Sequence, residues 1–417
     1  MAVVYSVSND EYIEKSMATS SNQHRHISRS KATLLIGLAI LIVAASVIFF
    51  SRLRPAHTQP HPHVNVPANS DTAMFGFDLQ HTHFNPSEHI LNITNIAHLV
   101  SYWMTSTGAY IISSPTVANG IVYIGSNDQK LYALDSKTGK TLWLHAADAD
   151  VGSSPAVANG IVYVGSDDHK LYALNARTGA TVWTFSTGGA IWSSPAVANG
   201  MVYVGSNDST LYALDAATGK PLWGHLTDNF VSSSPAVVNG VVYVGSEDGK
   251  LYALDAREGN MLWIAMAGLA IRISSPAIVN GVVYIGSEDN NVYAFDARTG
   301  KRLWSAPTHG YIHSSPAVAN GVVYIGSTDG KLHAFDARTG KPLWTISTGA
   351  RIYSSPTVAN GVVYVGSQDN KLYALDAQTG TIIWTYTTGS AIDSSPTVSN
   401  GVVYVGSWDG KVYAFHL

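Results

Sequence analysis

The 417-residue chain contains no cysteine. That absence excludes disulfides, thiolate metal sites and a lipid-modified N-terminal cysteine, and it is neutral about redox compartment. Charge is scarce as well: Asp, Glu, Lys and Arg make up 12% of the residues and leave a net charge of −4. Such a balance gives no electrostatic reason to expect nucleic acid as a partner. Beyond the N-terminal region, no stretch has the length or the 3.6-residue period of a helix. What the chain does have is self-similarity.

A unit of about forty residues is written eight times, beginning at Ser113, Ser153, Ser193, Ser233, Ser274, Ser314, Ser354 and Ser394, each copy opening with Ser-Ser-Pro. Its cleanest copy, residues 354–389, reads SSPTVANGVVYVGSQDNKLYALDAQTGTIIWTYTTG. A period of this length with strand-like content is the signature of propeller blades. The spacing predicts a short extended run over 354–359, then a turn at Asn360-Gly361, a pair that accepts the positive φ of a type I′ hairpin. Residues 361–367 are apolar and β-branched, as in a strand buried on both faces. A turn at Asp369-Asn370, a third strand over 371–377, a turn at Thr379-Gly380 and an outer strand over 381–386 complete the unit. The fold class is all-β, an eight-bladed β-propeller of four-stranded blades.

Tryptophan marks the outer strand in each unit: Trp103, Trp143, Trp183, Trp223, Trp263, Trp304, Trp344 and Trp384 recur every 40 residues, with one interval of 41. An indole buries roughly 150–250 Å², so each contributes on the order of 4–6 kcal/mol gross. A lone blade has no partner for that surface, and radial stacking supplies one. The run Ala-x-Asp-x-x-Thr-Gly-x-x-x-Trp at Ala374–Trp384 resembles the tryptophan-docking motif of the quinoprotein propellers. That family comprises the pyrroloquinoline quinone (PQQ) dehydrogenases and non-catalytic relatives, among them the propeller lipoproteins of outer-membrane assembly. The resemblance covers roughly residues 95–417. The eighth copy stops at Leu417 without its tryptophan strand, and residues 99–105, around Trp103, supply the missing one from the other end. Ring closure by this N-terminal strand is therefore expected, with no exposed edge at the joint.

Upstream, residues 1–31 read as a polar, disordered cytoplasmic tail. Residues 32–50 (ATLLIGLAILIVAASVIFF) are nineteen residues without a charge, long enough for a transmembrane helix. Residues 51–71 form a Pro- and His-rich linker, and the propeller domain occupies 72–417, with residues 72–98 packing on it. His57, His61, His63, His81 and His83 are metal-capable residue types without a fixed frame, and no metal site is expected. These features place a single-pass protein in the cell membrane with its propeller extracytoplasmic.

Connections after the second and fourth strands leave on one face of the disc; those after the first and third leave on the other and hardly vary. Side chains just before Ser-Ser-Pro vary most: Tyr110, Asp150, Trp192, Arg272, His313, Arg351, Tyr353 and Asp393. The neighbouring second turn adds Glu247, Glu288, Gln368 and Trp408. Together they are the candidate binding face, a funnel for an anionic or planar ligand or a patch for a protein or cell-envelope partner. The aspartates of the repeated Gly-Ser-x-Asp, from Asp128 to Asp409, could suggest a calcium ring but suit an ordinary turn. By the resemblance, the dehydrogenases hold PQQ between a tryptophan and a vicinal disulfide, with calcium and a catalytic aspartate. Without cysteine that disulfide cannot form, so no catalytic residue is assigned and no cofactor is expected; PQQ and calcium belong to a dehydrogenase-like alternative. The expected role is a non-catalytic binding scaffold, with a ligand-sensing propeller as a further alternative.

Overall fold

The computed structural model describes residues 74–417. The cytoplasmic tail, the apolar segment 32–50 and the linker expected from the sequence lie outside the described residues. Among those described, no helix is long and apolar enough to cross a membrane.

Eight sheets are present, each an antiparallel meander in its repeat-derived strands. Blades 1 to 7 span residues 116–146, 156–186, 196–226, 236–266, 277–307, 317–347 and 357–387. Blade 8 combines Thr397–Ser399, Val402–Gly406 and Lys411–His416 with Val100–Ser106 from the other end of the described chain. Val100 opposes His416 and Trp103 opposes Ala414 across that joint. Each innermost three-residue strand touches those of its two neighbours, and the first touches the eighth, so the eight make a ring around an axis.

The inner strands are shorter than the sequence suggests. In blade 7 the strand is Thr357–Ala359, and Ser354-Ser355-Pro356 stays outside the ladder. Proline has no N–H to give, and the serines bond elsewhere. The first serine of each copy accepts from the glycine of its own Gly-Ser pair, as Ser354 Oγ does from Gly366 N at 3.0 Å. The second forms a cycle: Ser114 N–H donates to Ser154 Oγ, Ser154 to Ser194, and so on until Ser395 N–H donates to Ser114 Oγ. Every blade is thus tied to the next at the same height, and the last to the first. Replacing Ser355 by alanine would leave the Ser315 amide buried without an acceptor, at a cost of about 1–3 kcal/mol. A drop of several degrees in Tm, absent for a Ser347→Ala control on the exposed outer strand of blade 6, checks this.

Between blades, the aromatic residues carry the packing. Trp344 of blade 6 donates its indole N–H to Ala377 O of blade 7 at 3.1 Å, and Tyr324 donates its hydroxyl to the same carbonyl at 3.0 Å. The Trp344 ring lies on Gly380, where φ is +73° and a Cβ would sit 2.7 Å from the ring. Only glycine meets both conditions. The same pair recurs in blades 1 to 5, and Trp103 and Tyr404 of blade 8 both reach Ser136 O. At the joint the pattern changes: Trp384 donates to Leu99 O, and Tyr364 OH is left buried without a partner.

Residues 74–86 do something that their sequence does not announce. Rather than packing on the outer surface, they enter the axial channel. Leu79, Gln80, Thr82 and His83 offer their carbonyls to Val237, Ile278, Val318 and Val358 N–H, the inward-facing amides of blades 4, 5, 6 and 7. Phe84–Asn85 then runs parallel to the inner strand of blade 7, and Asn85 Nδ2 reaches Val398 O of blade 8. His81 and His83 are 1% and 2% exposed, with Phe75 edge-on to both rings.

Candidate functional site

The variable loops gather on one rim because the backbone pins them there. In every blade the amide of the residue x in Gly-Ser-x-Asp donates to a carbonyl three or four residues before that blade's Ser-Ser-Pro, as Asp167 does to Asp150 O and Trp408 to Ala391 O. Those two loops are therefore held together, and their side chains surround the mouth of the axial channel. From the other side the channel is filled by residues 74–86. The mouth is accordingly a cup with a floor.

Its side chains touch from blade to blade. Over blades 4 to 7, Ser232 Oγ donates to Glu247 Oε1 at 2.6 Å, and Arg272 Nε stands 3.5 Å from Glu247 Oε2 and 3.3 Å from Glu288 Oε1. His313 Nε2 lies 2.9 Å from Glu288 Oε1, and its ring packs against Tyr353 at 5.1 Å. Burial pushes the Glu288 carboxyl up, but the His313 hydrogen bond and the Arg272 charge outweigh it and hold the pKa below the ordinary value. This arc is internally neutralised.

The arc over blades 7, 8, 1, 2 and 3 differs. Gln368 Nε2 donates to Asp393 Oδ2 at 3.4 Å, Trp408 packs on Tyr110 at 5.5 Å, and Asn127 Nδ2 donates to Asp150 Oδ2 at 2.7 Å. Asp393 is pushed up to about 7 by burial, against the opposing effect of Gln368 and Trp408. Asp167 is pushed up to about 6 by burial and by Asp150, with Trp192 opposing.

Of the residues expected to form the face, Tyr110, Asp150, Trp192, Arg272, His313, Tyr353, Asp393, Glu247, Glu288, Gln368 and Trp408 enter these contacts; the Arg351 carbonyl accepts from Gln368 N. Sequence reasoning passed over Asn127, Asp167 and Asn207. They occupy the same x position that gave Glu247 and Trp408, but asparagine and aspartate there look like turn residues. The repeated aspartates do not converge. Asp128, Asp168, Asp248, Asp369 and Asp409 each take a tyrosine hydroxyl of their own blade at 2.5 Å, and Asp208 takes one at 2.7 Å. Among the described residues, no group of three or more His, Cys, Asp or Glu is placed to hold a metal ion.

PQQ is a tricarboxylate, and the mouth suits it poorly. Asp150, Asp167 and Asp393 repel an anion, and Arg272 is already engaged by two carboxylates. No reaction step is derived through that group.

The profile of the family described as outer membrane protein assembly factor BamB matches residues 101–151, 127–345 and 288–417. No curated protein matches the chain. Among solved structures, BamB from Moraxella catarrhalis is 24% identical with a TM-score of 0.67, covering 76% of this chain and 98% of that one. A quinohemoprotein alcohol dehydrogenase from Comamonas testosteroni is 18% identical with a TM-score of 0.73, covering 84% and 81%. A europium-containing methanol dehydrogenase is 16% identical with a TM-score of 0.72, covering 83% and 98%. At these identities the structures share the fold.

Proposed function

The chain belongs to the family described as outer membrane protein assembly factor BamB, and on that premise we propose that it is a non-catalytic binding scaffold. In this reading residues 32–50 anchor it in the cell membrane as a single-pass protein with an extracytoplasmic propeller, which presents its mouth to a protein or cell-envelope partner. One observation carries the proposal. The side chains that differ among the eight copies gather on one rim, where they join in two runs of contacts, one over blades 4 to 7 and one over blades 7, 8, 1, 2 and 3, whereas the opposite rim repeats Asn-Gly and Thr-Gly turns almost unchanged. Indoles seated on the next blade and a strand shared across the joint make the platform rigid, so its loops can vary without unfolding it.

The test is photo-cross-linking in native membranes from a probe placed at Ile112 on the mouth. Changing Trp192, Arg351 and Tyr353 together to alanine is expected to reduce partner capture at least about tenfold, since a few interface residues carry most binding energy. Tm should stay within a few degrees. Undiminished capture would overturn the proposal. The ligand-sensing alternative has one observation in its favour, namely the floor that makes the mouth a cup.

A further inference from the structure

The outer strands of the eight blades make the perimeter of the disc, and one of them departs from the rest. Along such a strand, side chains alternate between the next blade and solvent. In blade 4 the strand is Met261–Met266. Its inward side chains are Trp263, which donates to Ala297 O of blade 5, and the buried Ala265. The outward ones are Leu262, Ile264 and Met266, with Met261 ahead of the bulge. At these four positions no other blade carries more than two large apolar side chains. Blade 2 has Thr181, Val182, Thr184 and Ser186 there, and blade 6 has Pro342, Leu343, Thr345 and Ser347.

The following loop departs in the same direction. From tryptophan to Ser-Ser-Pro, blade 4 is one residue longer than every other blade. The longer loop turns at Gly268, where φ is +83°, and presents Leu269. In six blades a threonine after the outer strand caps this loop through its hydroxyl, as Thr187 does to Gly189 O; blade 4 has Ala267 instead. Met261, Leu262, Ile264, Met266 and Leu269 are each 40–59% exposed, and no charged residue occurs from Asn260 to Ile271. A patch of this kind marks a surface that something covers.

A second copy of the chain is a poor cover. The five side chains expose roughly 500 Å², whereas a stable interface takes about 800 Å² from each partner. The bulge also twists the edge away from strand pairing. A lipid surface needs no matching edge, and the apolar segment 32–50 keeps one near. Residues 51–73 join that segment to Met74, which is buried among Ala156, Ala158 and Val197 of blades 2 and 3. Fully extended, they reach about 80 Å, and a domain of this size has a radius of only about 25 Å. The tether thus lets any part of the perimeter meet the bilayer, and side-chain composition selects blade 4.

Resting on the anchor proposed above, we infer that the outer edge of blade 4 is a membrane-docking surface. Leu262, Ile264, Met266 and Leu269 enter the headgroup layer of the bilayer that holds residues 32–50. The unpaired backbone groups of the edge strand keep it out of the hydrocarbon core. The disc then stands on edge, and its mouth opens along the membrane surface, free for a partner. Because the patch is uncharged, docking depends on neither anionic lipid nor salt.

The test exploits the absence of cysteine, which makes any introduced one unique. The full chain carrying Met266→Cys or Leu269→Cys, labelled with the fluorophore NBD, is reconstituted into phosphatidylcholine vesicles with or without nitroxide-labelled acyl chains. Quenching of at least about twofold is expected at both positions, equally at about 0.1 M and about 1 M sodium chloride. Ser347→Cys, at the matching place on blade 6, should stay unquenched. Adding Leu262→Glu and Ile264→Glu to the Met266→Cys chain should remove the quenching, with Tm unchanged within a few degrees. No quenching at positions 266 and 269, equal quenching at position 347, or quenching that high salt abolishes overturns the inference. So does spin–spin coupling between copies labelled at position 266, which would put a second copy on the patch. Flotation after an alkaline wash reads the anchor separately. A chain that floats without quenching keeps its anchor and loses only this surface; a chain that does not float loses both.

Discussion

Deletion of residues 101–107 is expected to abolish the cooperative unfolding transition of the propeller or to lower its Tm by more than about 10 °C. This stretch supplies most of the outer strand of blade 8, which pairs from Val100↔His416 to Ser106↔Lys411. It also contains Trp103, 9% exposed, whose indole donates to Ser136 O of blade 1. The burial of that ring is worth on the order of 4–6 kcal/mol gross, a large share of a stability that rarely exceeds about 15 kcal/mol. Loss of the strand also exposes Lys411–His416 as an unpaired edge, which invites association. A permutant that carries residues 95–107 after Leu417 separates strand from sequence position and should recover most of the Tm. Thermal unfolding followed by near-UV circular dichroism reads both, and an unchanged Tm in the deletion would show that the ring does not depend on this strand.

Acidification should release the axial segment before the blades unfold. His81 and His83 are both pushed down to about 3, by burial in the first case and by burial together with the neighbouring His81 in the second. Above the unfolded value of 6.5 both imidazoles are neutral in either state and contribute no penalty. As pH falls below it, only the released segment takes up protons, so docking weakens progressively until about pH 3, where the effect levels off. At about 1.4 kcal/mol per pH unit and per group, the two together cost about 4 kcal/mol at pH 5. Hydrogen exchange at the Val237, Ile278, Val318 and Val358 amides, which donate to the segment, should accelerate by about a hundredfold or more between pH 7 and 5 after correction for intrinsic chemistry. The His81→Gln, His83→Gln double variant should lose that acceleration. Equal protection at both pH values in the wild-type chain would refute the coupling.

Much of this architecture was legible because its determinants are side chains with a fixed period. Asn360 and Gly361 both take positive φ, 44° and 81°, as the Asn-Gly pair announces, and the tryptophan missing from the last copy points to Trp103. Strand ends were less legible. Ser354 and Ser355 were read as part of the extended run, yet the Ser354 hydroxyl accepts from Gly366 N of its own blade and the Ser355 hydroxyl serves a cycle that exists only once eight blades have met. The axial segment was opaque for a different reason: Leu79, Gln80, Thr82 and His83 bond through backbone carbonyls, which every sequence possesses. His81 and His83, read as histidines without a fixed frame, are among the most enclosed side chains of the domain. At the mouth, the bulky or charged Trp408 and Glu288 stood out from the repeat, whereas Asn127, Asp167 and Asn207 hid behind the turn preference of their residue types.

The measurement that bears most directly on a non-catalytic scaffold is titration of the purified full chain with PQQ and calcium, followed by dye-reduction assays on alcohols and aldose sugars. A scaffold with an acidic mouth and no vicinal disulfide takes up no PQQ saturably and reduces no dye. Saturable uptake accompanied by turnover would contradict it and make the chain a dehydrogenase.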